Sequence, residues 1–422
     1  MKNEIFFDYI SEWFWDIGFI RNDYLEKLEI LDNSNLIKVI TWLRRVWKSF
    51  ILKQFIDKKI KQWINKENIF YLHLEDYRLG INPSLNLLWD IFDFYLKNIY
   101  KKWDFYIFLD EIQNILGWEK FVRTINEKYW KKAHIFLTWS NSNLLSSELS
   151  TLLTWRFISL QIYPLSFEDY LNFNNLKINS KLDTKKINYF QKYITFWALP
   201  EILKIDDENT KKNYLLTLVD SILFKDIITR YKIRKSMFIS SLLKFIYSTT
   251  CSLLSINSIL KYLKQDIKNL DYDTVDNYIT YLENSFLINK LPSVNPKTKE
   301  ILKSNRKFYT YDLWIRNIYS NNNDIEKILE NYVYLELKRR WYEIYVITDS
   351  NYEIDFFTQK NNTFTYFQVS YTLKNKQTYN REINPLLKQK DNYKKIILTL
   401  DEWKKEDKWI EIKNIIDWSL KI

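Results

Sequence analysis

Apolar and polar positions fall into blocks along the chain, and the first of these read as strand, loop, helix. LIKVIT, residues 36–41, is an apolar run of strand length, and from Ser49 the segment SFILKQFIDKKIKQWINK carries its apolar residues at helical spacing. A second apolar strand, DFYIFLDEIQN at 104–114, ends in two carboxylates, and a third, HIFLTWSNS at 134–142, ends in small polar residues. Between residues 165 and 235 the spacing is helical. Residues 238–295 then predict a helix, a turn, a second helix beginning near Tyr272 and a closing strand, the pattern of a winged helix. The last part places the helical stretch ILENYVYLELKRR before two strand-like runs, YEIDFFTQ and TYFQVSYTL.

The loop between the first strand and helix sits in ITWLRRVWKSF, residues 40–50. With glycine in place of Trp42 and Trp47 it would contain G-x-x-x-x-G-K-[ST], the loop whose backbone N–H groups and following helix face phosphates together. Lys48 would then reach the β- and γ-phosphates of ATP, and Ser49 would hold Mg²⁺. The candidate nucleotide loop is Trp42, Leu43, Arg44, Arg45, Val46, Trp47, Lys48, Ser49 and Phe50. An indole at Trp47 would fill the space the nucleotide needs.

Composition bears on that conflict. At the average glycine usage of about 7% a chain of this length should carry roughly thirty glycines, yet it has Gly 3 against Trp 17. An AT-rich genome accounts for abundant Lys, Asn, Ile and Tyr but not for abundant tryptophan. Both anomalies are explained if many of these tryptophans are UGA codons that the source lineage decodes as glycine. The alternative is a loop whose tryptophans are genuine and whose nucleotide site has decayed.

The carboxylates of DFYIFLDEIQN have the form of a Walker B element: Asp110 would hold Mg²⁺, and Glu111 would orient and polarise the attacking water. At the end of the third strand Ser140 and Asn141 are candidates for a γ-phosphate sensor, with an ordinary strand-to-turn exit as the plain reading. In LLTWRFISLQIYPLSFEDYL, Arg156 is placed either to stabilise charge on the transferring phosphoryl group, in cis or towards a neighbouring subunit, or to pair with a surface carboxylate.

Bulk properties narrow the class. The 422 residues imply two to four domains, and 46% hydrophobic content suffices for packed cores. A single cysteine, Cys251, excludes an internal disulfide framework, and with only His73 and His134 a Cys/His metal cluster is excluded too. No apolar run reaches the length of a membrane span, and MKNEIFFDYISEWF, interrupted by Glu4, Asp8 and Glu12, lacks the core of a signal peptide. A soluble, cytoplasmic protein with no membrane partner is expected. The net charge of +11 fits a nucleic acid partner or a lysine-rich surface set by codon bias.

Together, ITWLRRVWKSF, YIFLDEIQN, FLTWSNS, LLTWRF and IYPLSFEDYL resemble the archaeal-type AAA family ATPases, which also occur in bacteria and carry a C-terminal restriction-endonuclease-like domain. Further on, FWALPEI (196–202) looks like F-G-G-L-P-E, DLWIRN (312–317) like D-L-G-L-R-N, and RRWYEIYV (339–346) like R-G-Y-E-V. Trp42, Trp47, Trp139, Trp155, Trp197, Trp314 and Trp341 all fall on glycines of that pattern. Trp118 in LGWEKF falls on a tryptophan. The resemblance implies an α/β fold: a P-loop core with a parallel sheet at 1–165, a helical lid at 166–237, the winged helix at 238–295 and an α/β nuclease-like domain at 296–422. SILFKDIITRYKIR (221–234) matches the lid. In the last domain it implies a vestigial nuclease site of Glu336, Asp355 and Gln368, with Ser370 where the lysine would stand.

The resulting expectation is an ATP-hydrolysing protein that couples turnover to domain or partner rearrangement. Two alternatives are a non-hydrolysing interaction protein with a decayed loop and an ATP-regulated DNA nuclease. A nucleic acid or protein partner would meet the winged helix and C-terminal domain. YDTVDNYITYLENS, the winged helix's second helix, has no lysine or arginine for bases or phosphates, so protein contact stays open beside DNA binding.

Overall fold

Strands β1 (Ile37–Thr41) and β3 (Phe105–Asp110) are buried along their whole length, as befits strands covered on both faces. With β2 (Ile69–His73), β4 (Ala133–Trp139) and β5 (Phe157–Gln161) they form a sheet of order β2-β3-β4-β1-β5 in which every neighbouring pair is parallel. This is the expected α/β arrangement with a parallel sheet. The computed structural model describes residues 16–421 apart from 42–47, 81–82, 102, 140–152, 154–155, 179–182, 197–198, 200–201, 203–204, 234–235, 265–269, 296–297, 299, 320–323, 350–351, 403–404 and 408. The chain divides into two compact units, Met1–Ile162 and Tyr163–Ile422.

Alternation along β3 assigns its side chains to two layers. Ile107 and Leu109 join a core with Phe92 of the helix Leu85–Asn98 and with Phe121 and Ile125 of the helix Trp118–Lys128. Phe108 meets Phe55 of the helix Lys48–Lys61, their ring centroids 6.4 Å apart, and Phe55 also packs on Phe136 of β4 at 5.1 Å. Helices on both faces leave the carboxyl ends of the strands open to loops, the place where parallel α/β sheets gather ligand-binding residues. Because β4 lies between β1 and β3, its end is brought beside both the loop entrance and the paired carboxylates.

At the opposite end of the same strands, a charge network ties the sheet to the helix Asn22–Asp32. Buried Asp32 receives Lys59 at 2.7 Å, His134 at 2.6 Å and the Tyr106 hydroxyl at 3.2 Å. Burial works to raise the Asp32 pKa, but the hydrogen bonds from His134 and Lys59 outweigh it and hold the group below its ordinary value. Lys38 lies 4.0 Å from the same carboxylate, and its own burial pushes it down to about 8.

In the second unit, a nine-stranded sheet runs through the described residues in the order β13-β14-β12-β11-β10-β9-β7-β8-β6. Its first strands follow a helical run: helix Ser236–Ser248, β6 (Leu253–Leu254), helices Ile256–Leu263 and Tyr272–Asn284, then β7 (Ile288–Val294) and β8 (Ile301–Thr310) as an antiparallel pair. Asp271 caps the third of these helices by accepting the Thr274 N–H at 2.7 Å. Next come the helix Ile325–Arg339, an antiparallel meander of β9 (Glu343–Asp349), β10 (Tyr352–Lys360) and β11 (Thr363–Ser370), and the helix Lys376–Leu387. The chain crosses over to β12 (Lys394–Thr399), parallel to β11, and β12 is followed by β13 (Lys405–Asp407) and β14 (Ile410–Asn414).

The Asp32 network gives a stability prediction. A carboxylate whose folded pKa is depressed contributes stability above its unfolded pKa and loses it as pH falls through the folded one. Asp32→Asn should therefore cost about 3–5 kcal/mol at pH 7, as expected when one partner of a buried pair is removed, and should flatten the acid limb of the stability curve. Urea melts from pH 7 to pH 3 check this; a variant whose deficit is the same at every pH would contradict it.

Candidate functional site

The carboxyl ends of β1, β2, β3 and β4 bring four groups of residues together. Lys48 opens the helix after β1 and is buried, its ammonium 3.7 Å from the Glu111 carboxylate. Asp110, the last residue of β3, is fully buried. Its Oδ2 lies 3.2 Å from His73 Nδ1 and accepts the Tyr71 hydroxyl at 3.3 Å; its Oδ1 accepts the Thr138 hydroxyl in a short hydrogen bond. Burial would raise the Asp110 pKa, but His73, Thr138 and the Ser49 hydroxyl together hold it below the ordinary carboxylate value. The site thus keeps an anion at the strand end, with the loop lysine and serine beside it.

Glu111 adopts the left-handed conformation, φ 58 and ψ 51, and begins the short turn Ile112–Asn114. Its N–H donates to Thr138 Oγ1 at 2.7 Å, and its carboxylate accepts from the Gln113 side-chain amide. Arg156 takes the surface pairing left open by the sequence: Nη1 donates to Glu127 at 3.0 Å, with both side chains about half exposed. Phe50 is half-buried in the first turn of the helix Lys48–Lys61. Trp42, Leu43, Arg44, Arg45, Val46, Trp47, Ser140 and Asn141 lie outside the described residues, as do Trp155 and Trp197. The sequence reading passed over His73, Tyr71 and Thr138. Their only signal was a polar residue near the end of an apolar strand, which becomes informative once the strand order is known.

The described tryptophans differ in their surroundings, and Trp314 is buried in the helix Leu313–Tyr319. Trp118 is packed in the sheet core, 4% exposed. Trp139 is buried against it, ring centroids 5.4 Å apart, but its indole N–H has no hydrogen-bond partner among the described residues, an unusual state for a buried tryptophan. Trp63, Trp341 and Trp409 have φ of 70, 63 and 67, a region that favours glycine, and Trp63 and Trp409 are 94% and 90% exposed.

In the second unit the structure regroups the expected nuclease-like residues. Asp355 on β10 and Gln368 on β11 are adjacent: Gln368 Oε1 accepts the Asp355 N–H at 3.2 Å, and its amide donates to Glu382 at 2.7 Å. Glu336 is held elsewhere, by Arg339 and by Arg340 at 3.7 Å. The carboxylate that the helix Ile325–Arg339 brings to this cluster is Glu330. Lys307 of β8, 2% exposed, reaches Glu330 at 2.8 Å, Asp355 at 3.4 Å and also Glu353. Burial would lower the Lys307 pKa, but Glu330, Asp355 and Glu353 outweigh it and raise it well above its ordinary value. Burial pushes Glu330 up to about 8 against the pull of Lys307. Glu330 and Glu336 are six residues apart on one helix, about 120° around it, so spacing alone could not say which faced the strands. Ser370 donates to the Thr372 carbonyl at 3.2 Å; the cation of the cluster comes from another strand.

Residues 34–171 match the model of an AAA domain, and residues 187–326 that of a domain of unknown function (DUF8612). An uncharacterized protein of Haemophilus influenzae is 32% identical over 403 residues, covering 95% of this chain and 98% of the relative. An uncharacterized protein of Methanocaldococcus jannaschii is 34% identical over 367 residues, covering 84% and 79%. Among solved structures, the Walker-type ATPase PABY2304 of Pyrococcus abyssi resembles the chain with a TM-score of 0.49 at 14% identity, over 71% of this chain and 95% of that one.

The buried lysine makes a pH-dependent prediction. Without Lys307, Glu330 and Glu353, both already raised by burial, should bind protons more tightly when folded, so stability should fall further as pH rises through their raised pKa values. Lys307→Met should lose about 3–5 kcal/mol at pH 8 and recover part of it at pH 5. Denaturant melts at the two pH values test this, and an equal loss at both would contradict it.

Proposed function

The chain belongs to an AAA-type ATPase family, that of the uncharacterized Haemophilus influenzae and Methanocaldococcus jannaschii proteins, and on that premise we propose that it binds ATP with Mg²⁺ and hydrolyses it. The observation that carries the reading is the convergence of Lys48, Ser49, Asp110 and Glu111 at the carboxyl ends of β1 and β3, the parallel strands on either side of β4. Lys48 would meet the β- and γ-phosphates, leaving Glu111 to orient the attacking water. The loop from Trp42 to Phe50 would wrap the phosphates with its backbone. Asn141 would sense the γ-phosphate, and Arg156 would leave exposed Glu127 to stabilise transferring charge, in cis or across a subunit contact.

The donor set suits Mg²⁺. No three His, Cys, Asp or Glu groups among the described residues converge as a metal site, but Mg²⁺ in phosphate-binding sites takes one or two protein oxygens and completes its shell with water and phosphate. Ser49 and Asp110, already hydrogen-bonded, are such a pair. When bound, Mg²⁺ would neutralise charge developing on the phosphate oxygens.

This reading requires glycine at positions 42 and 47, and we attribute the tryptophans there, and at 139, 155, 197, 314 and 341, to UGA read as glycine in the source. The left-handed backbone at Trp341 and the indole of Trp139, without a partner among the described residues, favour it. Trp63 and Trp409, left-handed and exposed, join the candidates on structural grounds.

For the rest of the chain, the domains proposed are the core to 165, a lid at 166–237, a winged helix at 238–295 and a nuclease-like domain at 296–422. The order helix, β6, two helices and β7 favours the winged helix. A helix followed by β9, β10, β11, a helix and β12 favours the nuclease-like reading. Lys307 fills the carboxylate cluster with the chain's own cation, which argues for a vestigial rather than an active nuclease. The helix Tyr272–Asn284 carries Asp273, Asp276 and Glu283 and no basic residue, so a protein partner is favoured over DNA for this face. ATP turnover would move these domains relative to a partner.

Full-length protein carrying Trp42→Gly, Trp47→Gly, Trp139→Gly and Trp155→Gly should bind and hydrolyse ATP–Mg²⁺, while the unsubstituted chain should not bind it. Adding Lys48→Ala should impair binding. Glu111→Gln should keep binding and slow turnover by about 10² or more, the usual scale for loss of a water-activating group. A glycine variant that fails to bind ATP would remove the ATPase assignment and leave the interaction-protein reading.

A further inference from the structure

We propose that Thr138 is the positioning residue that fixes Glu111 for water activation; this rests on the ATPase reading above. Thr138 lies on β4, is fully buried, and bridges the two acidic residues of the neighbouring strand. A hydroxyl has one proton to give and lone pairs to accept with. The proton goes to Asp110 Oδ1, and a lone pair receives the Glu111 N–H at 2.7 Å.

The bridge matters because of the conformation it holds. Glu111 is left-handed at φ 58, a state that a residue with a Cβ keeps only where its surroundings enforce it. The Glu111 carbonyl is fixed within its own turn, accepting the Asn114 N–H at 3.2 Å and the Asn114 side-chain amide at 3.1 Å. Its N–H is fixed by Thr138, on a different strand. The turn alone therefore sets one side of the Glu111 peptide frame, and Thr138 ties the other to the sheet. This directs the carboxylate towards Lys48, 3.7 Å away, on the side where the phosphates would lie. Leu109 pairs with Leu137 across the two strands, so the register itself brings residue 138 opposite the acidic pair.

Valine matches threonine in shape but neither donates nor accepts. In the glycine-substituted background, Thr138→Val should lower kcat at least about ten-fold while KM for ATP–Mg²⁺ stays within about three-fold, and Thr138→Ser, which keeps the hydroxyl, should return kcat to within about three-fold of the parent. Should Thr138→Val fail to fold, Thr138→Cys, with its weaker donor and acceptor, should give an intermediate kcat. The proposal is overturned if the valine variant turns over like the parent, if the serine variant is as impaired as the valine one, if KM rises in proportion as kcat falls, or if the cysteine variant is unchanged. A parent that hydrolyses no ATP would fail the ATPase reading itself; a parent that hydrolyses with a fully active valine variant would fail only the role of Thr138.

Discussion

A carboxylate buried at the end of β3 organises this end of the first unit's sheet. Asp110 has no exposure to water, and an unpaired buried charge costs far more than the fold can spare. Ser49, Thr138, Tyr71 and His73 therefore converge on it from three neighbouring elements, and their hydrogen bonds keep it ionised against its burial. The Ser49 contact fixes the start of the helix after the loop, so the same compensation places Lys48. The Thr138 contact fixes β4 and, through it, the backbone of Glu111. Lys48, Ser49 and Glu111 all take their places from one buried anion.

Much of this was legible in the chain. LIKVIT and DFYIFLD are mostly apolar because both faces of their strands are covered, and the candidate site residues follow where those runs end. Lys48 and Asp110 could be read without neighbours because their chemistry is tied to local spacing. Thr138 and His73 could not, since a threonine or histidine at a strand end is unremarkable until the order β2-β3-β4-β1-β5 sets it beside Asp110. In the second unit Asp355 and Gln368 were legible as strand residues, whereas spacing could not tell which of two glutamates on one helix, Glu330 or Glu336, would join them. Lys307 had no local signal: it lies on a strand that precedes the cluster by many residues and reaches it only through the sheet.

The tryptophans connect the sequence anomaly to backbone physics. A large aromatic side chain belongs in a core, and Trp118 occupies one. A left-handed, almost wholly exposed position such as that of Trp63 or Trp409 gains nothing from an indole and pays for its Cβ. Trp139 is buried at the end of β4 with an indole N–H that has no partner among the described residues. Backbone strain, orphaned polarity and the phosphate-loop pattern thus point to the same substitution at independent places.

The measurement that bears most directly on this account is peptide mass spectrometry of the protein isolated from its own source. The account predicts glycine at positions 42 and 47, and tryptophan retained at 118 in the same digest. Tryptophan at both loop positions would contradict it, because the space required for the phosphates would then be filled in the native protein.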